Sequence, residues 1–199
     1  MMHSLYEIET IVKRSTKSQG LSWGVSEETG KAIRALEQSE FPGLESFKRL
    51  VHERLNNLTK LLDVDQKSMN NLCPIHFGLY FLDQSHKKNL HQTFKFDSLR
   101  EPLISIPFLL KAAKKNLIYI QLVSKELKIS ITPGELISID QKQIPPIVYD
   151  FSLSLSTYRK TQYSNETWEE LYQLSLETFV EESEEKKLSG AGAGLTDND

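Results

Sequence analysis

Cysteine is nearly absent from this sequence, since Cys73 is the single one among 199 residues. A lone cysteine cannot form an internal disulfide, so the fold has to be held together by other interactions, and this usage fits a reducing compartment. The first four residues, Met-Met-His-Ser, also lack the basic flank and the apolar run of a secretory signal. We therefore expect a cytoplasmic protein.

Long apolar runs and a surplus of basic residues are missing as well. No stretch approaches the roughly 18 apolar residues that a membrane-spanning helix requires. Lys and Arg number 24 against 27 Asp and Glu, which gives a formal net charge of −3, whereas nucleic-acid-binding proteins usually carry a basic surplus on one face. The sequence therefore predicts neither a membrane protein nor a nucleic-acid-binding protein. An apolar share of 39% at this length is typical of one soluble globular domain.

A capping box opens the first predicted helix, over residues 4–18. Ser4 is followed three residues later by Glu7, and leucine, isoleucine and valine then recur on one face until Gly20 ends the pattern. A third helix is expected over about residues 44–57, where large apolar residues again recur at helical spacing. The N-terminal part of the chain is therefore predicted to be helical.

Between these two helices, Ser26 is the expected N-cap of a second helix whose first turn carries Glu27. This assignment places Trp23 and Gly24 in the loop before the helix. An aromatic side chain in such a loop either lines a pocket or fills the gap between the helices that it separates. Both interpretations of Trp23 stay open at this point.

The middle of the chain is less regular. Residues 72–82, LCPIHFGLYFL, are apolar, but their length and mixed periodicity fit either a helix or a strand. The polar residues 83–98 that follow are expected to form a surface loop.

From residue 117 onwards the apolar residues recur at every second position, which predicts strands. In residues 147–156, the side chains of Tyr149, Phe151 and Leu153 would point to the core, and the serines that alternate with them would point to solvent. A strand with one buried face and one wet face is typical of an antiparallel sheet.

We predict an α+β fold with N-terminal helices, an antiparallel sheet of about four strands in the second half, and a closing C-terminal helix. A single globular domain would span residues 1–188. Within it, residues 1–60 would be helical, 100–160 mainly sheet, and 164–182 the closing helix. Residues 189–199 would form a flexible or docked tail.

Zinc-binding residue types occur at Cys73, His76, His86 and His91. Their spacing, Cys-x-x-His followed by His-x4-His, carries little weight, because core-like apolar residues separate the two pairs and motif rules of this kind tolerate many false positives. We therefore predict no metal site, with Cys73 and His76 as the nearest candidates. The sequence does not identify a cofactor.

The chain ends in the glycine-rich and acidic segment SGAGAGLTDND, which contains Gly190, Gly192, Gly194, Thr196, Asp197, Asn198 and Asp199. A phosphate-binding glycine loop needs a strand before it and a helix after it, so this segment does not predict a nucleotide site. Its carboxylates suit cations, amines or hard metal ions instead. The segment is either a disordered end or an acidic arm that docks on a site.

Three segments resemble a family of bacterial proteins of unknown function. They are SLYEIETIVKRS…GLSWGVSEETGKAIRAL, LCPIHFGLYFLD and ETWEELYQLSLETFVEESEEKKLSGAGAGLTDND. Members share a Trp-Gly pair before an acid-led helix, a Leu-Cys-Pro turn and this glycine-, alanine- and aspartate-rich terminus. The resemblance brings no established activity, but it implies a functional tail. It also implies candidate ligand- or partner-binding positions, namely Trp23, Gly24, Glu27, Cys73 and the tail from Gly190 to Asp199.

Two functions remain open. The first is an accessory protein that binds a protein partner or a small ligand through its acidic tail, because the sequence contains no nucleophile–base pair or metal cluster with suitable spacing. The second is an enzyme of small-molecule metabolism, whose tail would fold over a pocket near Trp23 and Cys73. Its general base or metal ligand would be Asp197 or Asp199. We favour the first hypothesis.

Overall fold

The computed structural model describes residues 3–53, 55–64, 69–84, 86, 92–134, 137–139, 144–158 and 163–178. They belong to two compact units, Met1–Tyr158 and Arg159–Asp199. The predicted tail positions from Gly190 to Asp199 lie outside the described residues, as does His91.

The described part of the first unit contains five α-helices, namely α1 (Leu5–Ser18), α2 (Trp23–Gln38), α3 (Gly43–His52), α4 (Pro74–Gln84) and α5 (Ile106–Asn116). The predicted capping box begins α1, since the Ser4 hydroxyl oxygen accepts the N–H of Glu7 and the Glu7 carboxylate accepts the N–H of Ser4 at 2.7 Å. α3 ends earlier than predicted and is followed by a 3₁₀ turn over Leu55–Asn57. The ambiguous segment 72–82 is helical from Pro74 onwards.

The described part of the same unit also contains five strands, namely β1 (Thr93–Arg100), β2 (Ile118–Val123), β3 (Lys128–Ile131), β4 (Ile137–Ile139) and β5 (Ile147–Thr157). They form one antiparallel sheet in the order β1-β5-β2-β3-β4. β5 lies between β1 and β2, because Leu153 pairs with Phe94 on one side and with Leu122 on the other. The predicted α+β class is confirmed, with five strands where about four were expected.

Phenylalanine rings join α4 to one face of the sheet. The ring centroid of Phe77 lies 5.3 Å from that of Phe96 and 5.7 Å from that of Phe151. The centroid of Phe81 lies 5.4 Å from that of Phe94. These edge-to-face contacts between buried rings add to the hydrophobic stabilisation of the core and fix α4 on the sheet.

β1 corrects the prediction for residues 83–98, since 93–98 form a strand and not a surface loop. Phe94 and Phe96 are buried and alternate with exposed polar residues. The polar composition of the segment obscured this alternation.

β5 departs from strict alternation at Asp150. Phe151 and Leu153 point to the core as predicted, but Tyr149 is 62% exposed and Val148 is buried in its place. The backbone of Asp150 has a φ of 43°, in the left-handed region. This local change shifts the alternation of buried and exposed side chains by one residue.

The described helix of the second unit is α6 (Asn165–Leu176). Ser164 caps it, because its hydroxyl oxygen accepts the N–H of Thr167 at 3.0 Å. Among the described residues of both units, no helix combines the length and the apolar composition that crossing a membrane requires.

Candidate functional site

The first turn of α2 begins one helical turn earlier than predicted. Ser22, and not Ser26, is its N-cap, because the Ser22 hydroxyl oxygen accepts the N–H of Val25 at 3.3 Å. The Ser26 hydroxyl is buried inside the helix and donates to the Ser22 carbonyl oxygen at 2.8 Å. Trp23 and Gly24 therefore belong to the first helical turn and not to a loop.

Trp23 projects from this turn and is 57% exposed. Two cations from α1 lie over its indole ring, with Lys13 Nζ 5.7 Å and Lys17 Nζ 5.5 Å from the ring centroid. Both distances are within the range of a cation–π interaction. Trp23 therefore forms an exposed aromatic platform beside two ammonium groups.

Glu27 lies one turn further along α2 and pairs with one of these lysines. Its Oε1 is 2.5 Å from Lys13 Nζ, and this hydrogen bond lowers the pKa of the Glu27 carboxyl. Lys17 instead donates to the backbone carbonyl oxygen of Leu21 at 3.2 Å. Because that acceptor carries no net charge, Lys17 keeps this side of the surface positive.

Gly24 leaves the surface beside Trp23 open, since a Cβ atom built on it would meet nothing within 4 Å apart from its chain neighbours and the backbone of its own helix. The first turn of a helix also carries partial positive charge from its backbone N–H groups. We call Lys13, Lys17, Trp23, Gly24 and Glu27 together the Trp23 surface.

The sequence prediction identified three residues of the Trp23 surface but missed Lys13 and Lys17. The sequence does show that Lys13 and Lys17 are four residues apart in a predicted helix, and this spacing places both side chains on the same face of the helix. The sequence did not show that this face lies beside Trp23, because that contact depends on the packing of α1 against α2.

Ion pairs of Glu28, the residue after Glu27, join α2 to α5. Glu28 accepts hydrogen bonds from Lys31 at 2.7 Å and from Lys111 at 2.6 Å. Partial burial acts to raise the pKa of Glu28, but the bonds to Lys111 and Lys31 outweigh it, so the pKa is lowered. These bonds help to fix the orientation of the helix that carries Trp23.

Cys73, a further candidate from the sequence, is fully buried directly before α4. Burial raises the pKa of its thiol, although the backbone N–H groups of His76 and Ile75 point at the sulfur and partly oppose this effect. A protonated and inaccessible thiol is a poor nucleophile and a poor metal ligand. Cys73 therefore packs as a small apolar residue of the core.

His76 lies in the first turn of α4, and its buried Nδ1 atom has no hydrogen-bond partner among the described residues. Burial, with a smaller contribution from Lys60, lowers the pKa of His76 to about 4. The imidazole is therefore neutral at pH 7.

Within the described part of the chain, no group of three or more His, Cys, Asp or Glu side chains is arranged to hold a metal ion.

A partly buried ion pair that the sequence did not indicate joins α3 to the residue after β1. The two carboxylate oxygens of Glu101 accept hydrogen bonds from Arg49 at 2.6 and 2.8 Å, and the Glu101 side chain is 6% exposed. Arg49 also donates to the Ser46 hydroxyl oxygen at 3.0 Å, and the N–H of Glu101 donates to the Pro146 carbonyl oxygen at 2.7 Å. Because these groups are engaged with one another, the pair serves to hold α3 to the 3₁₀ turn Pro102–Ser105 that follows Glu101.

The segment that carries the Trp23 surface also has a match among known families. Residues 3–79 match a family of proteins of unknown function, DUF3726. The match covers less than half of the chain and includes the Trp23 surface, Cys73 and His76, so the resemblance is confirmed for this segment. No curated protein and no solved structure matches the chain. The bacterial origin and all the specific motifs of the resemblance stay predictions.

Proposed function

We propose that this protein is a non-catalytic accessory protein of the bacterial cytoplasm, which binds an acidic protein partner at the Trp23 surface. The observation that carries the proposal is the exposed indole ring with two lysine ammonium groups over it. Tryptophan combines a large apolar surface with a polar N–H group, and it is among the residues that contribute most to binding at protein interfaces.

The charges around Trp23 favour a partner that carries carboxylates. Lys17 keeps a full positive charge beside a backbone carbonyl, and the first turn of α2 adds partial positive charge. The charge of Lys13 is largely balanced by Glu27. Lys13 therefore attracts the partner less than Lys17 does, and it also contacts the indole ring. An acidic segment would pair with Lys17 while one of its apolar side chains covers the ring.

The C-terminal tail forms the second part of the proposal. Gly190, Gly192 and Gly194 are residues of a type that adopts backbone conformations closed to other residues. Its acidic and hydrogen-bonding end consists of Thr196, Asp197, Asn198 and Asp199. This end would bind a basic region of the same partner or a cationic small ligand.

Affinity capture with matched variants tests the proposal. The full-length protein, Trp23→Ala and Lys17→Glu serve as bait, with Tyr149→Ala as a control because Tyr149 is an exposed aromatic residue elsewhere. We expect a partner that the wild-type protein and the control retain and that both Trp23-surface variants lose. With the purified partner, each of these two variants should weaken binding by about tenfold or more.

An identical set of partners for all four proteins would contradict a role for the Trp23 surface. Deletion of Gly190 to Asp199 tests the tail separately. If the deletion leaves the partner bound with unchanged affinity, the tail has no part in the contact.

A further inference from the structure

A shallow apolar groove runs between α1 and α3. Ile11 and Ser15 line it on the α1 side, about 200° around the helix from Lys13 and Lys17. The groove has a volume of about 220 Å³ and a mainly apolar lining. It therefore lies on a different side of α1 from the Trp23 surface and shares no residue with it.

Apolar side chains line this groove at three depths. Val12 and Phe47 form a buried floor, with exposed fractions of 0% and 5%. Leu44 and Val51 are half-buried on the α3 side, and Ile11 is 58% exposed on the α1 side. An apolar side chain of a partner that entered this groove would lose contact with water, and burial of apolar surface is favourable.

Two basic side chains, Lys48 and His52, line the α3 side of the groove, and both residues are exposed. The carboxylate of Glu45 is 3.9 Å from Lys48 Nζ, and both of these side chains are mostly in water. An exposed pair at this distance neutralises the lysine only weakly. The rim of the groove is therefore complementary to a partner that carries negative charge next to an apolar group.

We propose that this groove binds an acidic protein segment, which inserts one bulky apolar side chain between α1 and α3. The volume favours a single side chain over a lipid, because sites for small molecules usually enclose about 300–1,000 Å³. The inserted side chain would cover Ile11 and contact Phe47, while a neighbouring carboxylate of the segment pairs with Lys48. This contact goes beyond the function proposed above, and either surface can bind without the other.

Methyl NMR spectroscopy of the full-length protein tests this proposal, because Ile11, Val12, Leu44 and Val51 provide reporter methyl groups in the groove. The probe is the capped peptide Asp-Ala-Trp-Ala-Asp. Two matched peptides, Asp-Ala-Ala-Ala-Asp and Lys-Ala-Trp-Ala-Lys, separate the effect of the apolar side chain from that of charge. We expect the acidic tryptophan peptide to shift these signals and the alanine peptide to leave them unchanged. The basic peptide should bind at least about threefold more weakly.

Variants of α1 and α3 make the test specific. Ile11→Glu should abolish the shifts without unfolding the protein, because the side chain is already mostly in water. Tyr6→Glu is the matched control, since Tyr6 is 76% exposed on the same helix and does not line the groove. Lys48→Glu should reverse the order of affinity of the acidic and basic tryptophan peptides. Trp23→Ala should leave binding in the groove unchanged, which separates this test from that of the proposed function.

Equal shifts with the alanine peptide, or an unchanged peptide preference in Lys48→Glu, would overturn the proposal. So would tighter binding of decanoate at the same methyl groups, because the groove would then be a lipid site. A dimer in sedimentation equilibrium that Ile11→Glu dissociates would assign the groove to a second copy of the chain, and it would also overturn the proposal.

Discussion

At the scale of single residues, the pairing of Glu101 with Arg49 is asymmetric. The Glu101 side chain is 6% exposed and its backbone adopts the left-handed conformation, with φ 39° and ψ 60°. The Arg49 side chain is 49% exposed. Removal of the arginine leaves a charged carboxylate buried, whereas neutralisation of the carboxylate leaves a guanidinium that water can still reach.

Arg49→Ala should therefore cost more stability than Glu101→Gln. We expect the free energy of unfolding to fall by about 3 kcal/mol for Arg49→Ala and by about 1–2 kcal/mol for Glu101→Gln. Urea unfolding at pH 7 measures both values. Lys48→Ala, at an exposed neighbouring position, is the control and should change stability by less than about 0.5 kcal/mol. Strictly additive losses in the double variant would argue against the coupling of the two side chains.

His76 should make the fold sensitive to acid. Its pKa in the folded protein is about 4, below the ordinary value of 6.5, so between these values the unfolded chain binds a proton that the folded chain does not. The stability that depends on the neutral imidazole is therefore complete above pH 6.5 and is lost as the pH falls towards 4.

His76→Leu removes this titration. Thermal unfolding at pH 7.0 and 4.5 should show a larger loss of stability for the wild-type protein than for this variant. His52→Leu, which changes an exposed histidine of α3, should lose as much stability as the wild-type protein. An equal loss in all three proteins would mean that His76 does not control the acid response.

At the scale of secondary-structure elements, the sequence predicted the helix ends that depend on local chemistry. Ser4 and Glu7 begin α1 as predicted, because the serine hydroxyl lies within reach of an N–H three residues later. Ser164 begins α6 through the same contact. The start of α2 was predicted wrongly. Both Ser22 and Ser26 are chemically able to cap a helix, and only the burial of Ser26 in the folded chain decides between them.

The errors in the sheet have a different cause. Phe94 and Phe96 alternate with polar residues over a few positions only, and pairing with β5 makes this segment a strand. Tyr149 is exposed because the backbone turns at Asp150, and a period-two pattern does not encode that turn. The lysines of the Trp23 surface were missed for a related reason, since contacts between helices are not local in sequence.

Close packing between α4 and α5 gives a prediction at this scale. A Cβ atom on Gly78 would lie 2.7 Å from the Phe108 side chain. We expect Gly78→Ala to lower the free energy of unfolding by about 1–3 kcal/mol, because the buried Phe108 side chain would have to shift to make room for the new methyl group. Gly24→Ala is the matched control in open space, and it should raise stability by up to about 1 kcal/mol. Chemical denaturation distinguishes the two, and similar effects would refute the steric explanation.

At the scale of the whole molecule, the first unit contains the complete described sheet and the phenylalanine rings that pack on it. The family match ends within α4, so the Trp23 surface and the groove between α1 and α3 both lie inside the matched segment. Both proposed binding surfaces are therefore carried by the helical part of the unit, and the sheet supports it through α4 and α5.

A chain that ends at Tyr158 should fold on its own, because the first unit contains its own core. We expect cooperative urea unfolding of this shortened chain in a single transition. Loss of cooperativity in the shortened chain would contradict this expectation. It would instead favour the single domain that the sequence predicts over residues 1–188.

The order of the strands has a consequence for folding during synthesis on the ribosome. β5 is synthesised after the other four described strands, yet it supplies the partners of β1, since Phe94 pairs with Leu153 and Arg100 pairs with Ile147. Until then, β1 lacks its neighbouring strand and β2 has an open edge, and open edges readily pair with other chains. Pairings so distant in sequence also slow folding. The nascent chain is therefore more exposed to aggregation until β5 inserts between β1 and β2 and closes the two facing edges.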